Sequence, residues 1–328
     1  MRKFSKLAGV SRMTVSRVFS GSDKVGPETR ARLISLAARH DFRPCAVLPS
    51  SRNGITRSVG VLYPGFGASY FSDIAKGLQD ELMTVGFLPV ILAVTPANLR
   101  ACFNRLIDHR VDGIVTCYYA GTFSAAEVVQ LRRHKLPIVI IGPIAPGLPC
   151  DLVETDDLMG GRLAAGHLAG LGHRVIGVCI GNNPDSIIRF RGFTRELAAR
   201  GLRVKKAHVA RHFTWPAFKS VLNRMLSRPG RPTALFAMND LVALDIYRVA
   251  RELGMKVPAD LSVMGFADLA FTARMAPPLT TIKQDGVAEG RAAARLIIRR
   301  IKGDKTRKQH VRIPAHLVAR DSTIGNQP

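Results

Sequence analysis

The sequence predicts an α/β protein: a small all-α unit at the N-terminus, then two lobes built on doubly wound parallel sheets. Three observations point to it. The first forty residues hold only short helical patterns with turn and cap residues between them. From residue 58, short apolar runs alternate with amphipathic stripes, the pattern of parallel strands covered by helices on both faces. The same alternation restarts near Leu152, which makes two lobes of one kind. A chain of 328 residues is long enough for such a division and for a substantial core in each part.

In the N-terminal unit, Gly9 permits a tight turn after a short apolar helix, and Ser11 is a preferred N-cap for a helix starting at Arg12. Val15, Val18 and Phe19 recur at helical spacing and face a small core. Arg12, Met13, Ser16 and Arg17 fall on the opposite side. A third helix runs from Pro27, suited to the first helical position, through Leu33, Leu36 and Ala37. This is the layout of a helix-turn-helix, which sets one helix in the DNA major groove. On that reading Ser11, Arg12, Met13, Thr14, Ser16 and Arg17 are the DNA-contacting set. Arg17 suits a bidentate contact to guanine, Thr14 and Ser16 suit phosphate oxygens, and Arg12 and Met13 set operator choice.

The charge fits a polyanion partner. Lys and Arg number 48 against 24 Asp and Glu, a formal +24, so salt-dependent binding is expected. Residues 1–57 hold twelve basic and three acidic residues, and the remaining positive charge is spread along the chain as a generally basic surface.

In the body, strands are expected at Val59 to Tyr63, Leu88 to Ala93, Gly113 to Cys117 and Ile138 to Gly142. Helical stripes fall between them at Phe71, Ile74, Ala75, Leu78 and Leu82, then at Leu99, Phe103, Leu106 and Ile107. The second series has strands at Val175 to Ile180, Ala234 to Met238 and Ser262 to Gly265, with helices after Gly160, Ile187, Pro216 and Asp240. Open parallel sheets bind small ligands beyond the carboxyl ends of their strands. The candidate pocket residues are therefore Tyr70, Phe71, Asp156, Arg189, Phe213, Asn239, Asp240 and the Phe266 to Asp268 segment. An aromatic such as Tyr70 or Phe71 suits the apolar face of a sugar-like ring, and Arg189 suits a carboxylate or hydroxyls.

Catalytic constellations are missing from the sequence. It has no serine nucleophile elbow, no metal-spaced histidine pair and no Walker-type phosphate loop, and Gly65-Phe66-Gly67 lacks the third glycine of a dinucleotide site. A binding protein without cofactor or metal is expected rather than an enzyme. The five cysteines, Cys45, Cys102, Cys117, Cys150 and Cys179, have no metal-ligand spacing and read as buried free thiols. Neither a signal peptide nor an apolar run of roughly 20 residues is present, so a cytoplasmic protein with no membrane partner is expected.

Several motifs, in order, resemble the LacI/GalR family of sugar-responsive transcription regulators over essentially the whole chain. They are Ala8-Gly9-Val10-Ser11 with Thr14-Val15-Ser16-Arg17-Val18; Asp156 with Gly160-Gly161-Arg162, His167-Leu168 and Leu171-Gly172-His173-Arg174; and Arg189 with Gly192-Phe193. Asn239-Asp240, Val257 to Val263 and Pro278 to Ile282 complete the set. The resemblance implies a helix-turn-helix domain over 1–44, a hinge over 45–57, and an effector-binding and dimerisation domain over 58–328 of periplasmic-binding-protein-like fold. Lobe one would comprise about 58–153 and 285–312, and lobe two about 154–284 and 313–324. It further implies a homodimer on a palindromic double-stranded DNA operator, with a sugar or sugar-acid effector controlling its grip as a repressor. The chain leaves no room for an apolar heptad repeat, so a dimer rather than a coiled-coil tetramer is expected.

Departures from the family pattern refine these expectations. The first helix begins almost at Met1 with no polar cap before it, a loss of ~1 kcal/mol that implies a late-assigned start or a weakened reader. In the hinge, Pro49 interrupts the expected helix and Ser51 stands where a leucine wedge is usual, leaving Leu48 as the substitute and implying weaker operator bending. Ala267 replaces an aspartate common in the pocket, followed by Asp268. The run Gly265 to Phe271, with Met13 and Ile187-Ile188-Arg189, is most similar to the gluconate-responsive branch, which implies an acidic sugar held by Arg189. Two other readings compete. An exported solute-binding protein would need a signal and no reader, and an enzyme on this fold would need a glycine-rich phosphate loop. A regulator that has lost DNA binding is a further alternative.

Overall fold

Apolar spacing in the first forty residues gives three helices around one small core. A computed structural model of the chain describes residues 2–19, 22–40, 55–64, 69–117, 136–143, 150–211 and 215–326. It divides into two compact units, residues 1–56 and 57–328. In the first, α1 (Arg2–Leu7), α2 (Arg12–Phe19) and α3 (Pro27–Arg39) bury Phe4, Ala8, Val15, Val18, Leu33 and Ala37 together. The Phe4 and Phe19 rings meet edge to face at 6.3 Å. Gly9 takes a φ of +64°, a conformation that costs glycine little, and lets α1 end and α2 start in the space of a few residues.

In the second unit, apolar runs of four to six residues form the strands because residues buried on both faces need no alternation. The first lobe contains β1 (Ser58–Tyr63), α4 (Ser69–Thr84), β2 (Leu88–Ala93), α5 (Leu99–Asp108), β3 (Gly113–Cys117), β4 (Ile138–Ile141) and β5 (Asp151–Thr155). The chain then enters the second lobe as α6 (Asp157–Gly170), β6 (Ile176–Ile180), α7 (Pro184–Ala199), β7 (Val209–Arg211), α8 (Trp215–Leu226), β8 (Ala234–Ala237), α9 (Asp240–Glu252), β9 (Ser262–Ala267) and β10 (Thr280–Lys283). It returns to the first lobe as α10 (Gly286–Ile301) and β11 (His310–Ile313), and ends in the second as β12 (His316–Val318).

The sheet orders are β11-β5-β4-β3-β1-β2 and β12-β10-β9-β8-β6-β7. All pairings are parallel except that of β10 with β12. Without their last strands the two orders are the same doubly wound arrangement, so each sheet reverses direction of winding beside its first strand and opens a crevice there. Three passages between lobes, at Asp156, at Gln284 and Asp285, and at residues 314–315, lie along one side of that crevice.

Each lobe brings one helix pair together through glycine. A Cβ on Gly161 of α6 would lie 2.1 Å from the Arg189 carbonyl of α7, and one on Gly290 of α10 would lie 2.2 Å from the Ile74 carbonyl of α4. These close crossings fix the two helices that carry Arg189 and Glu289. Cys117, Cys150 and Cys179 are buried thiols as expected, Cys102 is half-buried, and Cys45 lies outside the described residues. Among the described residues no helix is long and apolar enough to cross a membrane.

Candidate functional site

Two surfaces carry chemistry, and each lies within one unit. In the N-terminal unit, the Ser11 Oγ accepts the Thr14 N–H at 3.0 Å and meets the Thr14 hydroxyl at 2.9 Å, so both side chains are used to start α2. Val15 and Val18 face the core. Arg12 and Met13 project from the first turn, Met13 with 62% of its surface exposed, and Ser16 and Arg17 are half-buried beside them.

The second surface is a cleft of about 130 Å³ between the carboxyl ends of the two sheets. Lobe one contributes Tyr70 and Phe71 from α4, Cys117 from β3, the turn after β4, and Thr155. Lobe two contributes Asp157, Asn183, Asp185, Arg189, Asn239, Ala267 and Leu269, and Gln284 sits where the chain crosses back. Each of these ends a strand, follows one or stands in the first two turns of the next helix, as the winding requires.

Arg189 is 4% exposed. Its Nε donates to Asp157 Oδ1 at 2.8 Å, its Nη1 donates to the Met238 carbonyl at 2.6 Å, and its plane lies 3.7 Å from the centre of the Phe266 ring. Burial pushes the Asp157 carboxyl up, and the Arg189 guanidinium 2.8 Å away pulls it back toward its charged form. Opposite it, Glu289 of α10 is fully buried and accepts from the Tyr70 hydroxyl at 2.5 Å and from the Thr155 hydroxyl, which in turn accepts from Gln284 at 3.1 Å. Burial raises the Glu289 carboxyl to about 7, against the pull of those two hydroxyls. The arrangement can accept hydrogen bonds from a small polar molecule and cover its apolar face with Tyr70 and Phe71, whose rings are 5.3 Å apart.

Of the residues expected from sequence, the cleft brings together Tyr70, Phe71, Arg189 and Asn239. Three others are used elsewhere. Asp156 caps α6 by accepting the Met159 N–H at 2.9 Å, and it is the next residue, Asp157, that lines the cleft. Asp240 is buried behind the wall, accepting from Thr281 at 2.6 Å and from the Leu269 N–H at 2.8 Å. Asp268 pairs with Arg320 at 2.7 Å, away from the lining. Together they hold Ala267 and Asp268 at φ values of +127° and +59°, a strained turn that forms one edge of the cleft. Phe213, Leu48, Pro49 and the Gly65–Gly67 turn lie outside the described residues.

Sequence reasoning missed Asp157, Asp185, Gln284, Thr155 and Glu289. Glu289 had a signal: with Ala293, Leu296 and Arg300 it occupies the buried stripe of α10 at helical spacing, where a charge is out of place.

A helix-turn-helix unit joined to a two-lobed body with a polar interlobe cleft defines a ligand-responsive DNA-binding regulator as a class. Residues 3–45 match the bacterial regulatory proteins of the lacI family, and residues 165–323 match a periplasmic binding protein-like domain. The chain is 30% identical over 325 residues to the HTH-type transcriptional regulator DegA of Bacillus subtilis (strain 168), covering 97% of this chain and 96% of that protein. Its structure is similar to that of the transcriptional regulator CelR in complex with cellobiose, with a TM-score of 0.73 and 28% identity over 97% of this chain and 98% of that one. It also shares the fold of the lac repressor dimer bound to operator, with a TM-score of 0.84 and 24% identity over 98% of each chain. The chain belongs to the LacI family of bacterial regulatory proteins.

Proposed function

We propose that this protein is a transcriptional repressor that binds a palindromic operator as a homodimer and changes its grip when a small polyhydroxylated ligand fills the interlobe cleft. The observation that carries the reading is the division of labour in α2. Val15 and Val18 are buried and Ser11 and Thr14 are used in the cap, while Arg12 and Met13 stand exposed at the helix start, where a recognition helix meets base edges. Arg17 and Ser16 extend that face toward bases and phosphates. The ligand reading rests on the cleft and on the sugar bound by the relative CelR.

The acidic sugar expected from the gluconate-like segment is the weaker alternative. Arg189 is already paired with Asp157, and a second carboxyl, Asp185, lines the same space. A hydroxyl-rich ligand matches the acceptors better than a second carboxylate does.

The test uses full-length protein on an operator enriched from a random duplex pool. Operator affinity is read by fluorescence anisotropy during titration with neutral, acidic and aminated sugars. At least one class is expected to change affinity fivefold or more in wild-type protein and not in the Arg189→Ala variant. Unchanged affinity across all three classes would remove the proposed coupling.

A further inference from the structure

The cleft holds more carboxyl groups than its one arginine answers, and two of its groups have capacity left over. Asp157 and Arg189 each have a side chain 5% exposed, and both line the cleft. Among the described residues, Asp157 Oδ2 and Arg189 Nη2 have no hydrogen-bond partner. Asp185 lines the same space, and apart from its own backbone N–H and a 3.5 Å contact with the Asn183 amide its carboxyl has no hydrogen-bond partner among the described residues. Glu289 stands behind Tyr70 and Thr155, and no cation pairs with it among the described residues. Because the Tyr70 and Thr155 hydroxyls both donate to Glu289, the face they turn to the cleft can only accept.

We infer that the effector of this protein carries a positively charged amino group together with hydroxyls, the amine seated among Asp157, Asp185 and the acceptor face of Tyr70. The inference rests on the reading of the cleft as the effector site, and it sharpens that reading by fixing the sign of the ligand's charge. A neutral sugar would leave buried carboxylate unanswered, and an acid would add to it. A buried unpaired charge is costly, whereas a protonated amine of matching position offsets that cost on binding. Arg189 does not oppose the amine, since its charge is paired with Asp157 and its free edge remains for a ligand hydroxyl.

The same geometry gives a pH signature. Glu289 is faced by Tyr70 from α4, Thr155 from β5, Cys117 from β3, Asp157 from α6 and Asp185 from α7, and Arg189 of α7 acts on Tyr70, Asp157 and Asp185. Burial raises Asp185 and Glu289 above the ordinary carboxylate range, so part of their charge is masked by protons below neutral pH. Seating an amine displaces those protons.

The experiment is isothermal calorimetry on full-length protein with four probes of common size: D-glucose, D-gluconate, D-glucosamine and D-glucamine. Glucamine is expected to bind at least tenfold more tightly than glucose, with gluconate weakest, and its affinity is expected to rise between pH 6 and pH 8. Titrations in two buffers of different ionisation enthalpy are expected to show proton release. Asp185→Asn, whose side chain makes no strong internal bond, should retain its urea midpoint and lose the preference for glucamine over glucose. Glucose or gluconate binding as tightly as the amines would overturn the inference and leave the cleft reading standing. An unchanged preference in Asp185→Asn would overturn it too. Binding of none of the four would count against both.

Discussion

Two buried arginines in this protein face a carboxylate at nearly the same distance, and they have different jobs. Arg300, on α10, uses its whole fork. Its Nε and Nη2 grip both oxygens of Asp151 at 2.7 and 2.8 Å, and its Nη1 donates to the Asp304 and Thr306 carbonyls at 2.9 and 2.8 Å. Asp151 also accepts the Gln309 N–H at 2.8 Å, so the edge strand β11 is held to β5 by a closed network. Although burial pushes the Asp151 carboxyl up, those hydrogen bonds bring it below its ordinary value. Arg189 grips one oxygen of Asp157, and burial leaves that carboxyl high. A buried pair with every donor and acceptor used holds a fold together, and a buried pair with groups left over waits for a ligand.

The largest expected effect separates these two sites directly. Arg300→Ala strands Asp151 in the core and is expected to cost about 3–5 kcal/mol in urea unfolding. Arg189→Ala leaves Asp157 able to take up a proton, and its expected cost is about 1–3 kcal/mol. Equal costs would break the comparison.

Glu289 sharpens it through pH. Its folded carboxyl keeps a proton to about pH 7, against an ordinary value of 4.5. The folded state therefore binds more protons than the unfolded one across that interval. Stability from this group is full below pH 4.5 and is lost as pH rises through 7, by about 3 kcal/mol. Glu289→Gln is expected to remove that fall, so urea midpoints of wild type and variant should diverge between pH 5 and pH 8 in favour of the variant. Parallel curves would show that Glu289 is ionised in the folded protein at all these values.

The reader repeats the contrast on a smaller scale. Ser11, whose hydroxyl is used in the cap, is expected to cost ~1 kcal/mol of stability when changed to alanine. Met13→Ala, at an exposed position, is expected to leave stability within about 0.5 kcal/mol and to alter which operator sequences are enriched from a random pool. A Met13→Ala variant with wild-type sequence preference would take that residue out of the base-reading set.

Much of the fold was legible because the strands that matter most are continuous apolar runs: Val59 to Tyr63, Gly113 to Cys117 and Ala234 to Ala237 are buried along nearly their whole length. The strands β10, β11 and β12, at or next to the sheet edges, escaped because they are short and carry lysine, arginine or histidine among their apolar residues. At the cleft, Arg189 was legible from its position after β6, but Asp156 and Asp157 are identical in type and adjacent. Only the turn into α6, with one carboxylate capping the helix and the next facing Arg189, assigns their roles. Asp240 and Asp268 misled for a related reason. Both follow strand ends, and both are taken up by Thr281, Leu269 and Arg320, partners distant in sequence.

The most direct test of the account is the selection of duplex DNA by the purified full-length protein, followed by affinity measurements at moderate and raised salt. The account expects a palindromic site bound on the order of a thousandfold more tightly than random duplex, with affinity falling steeply as salt rises. Binding with no preference for any palindrome would contradict it.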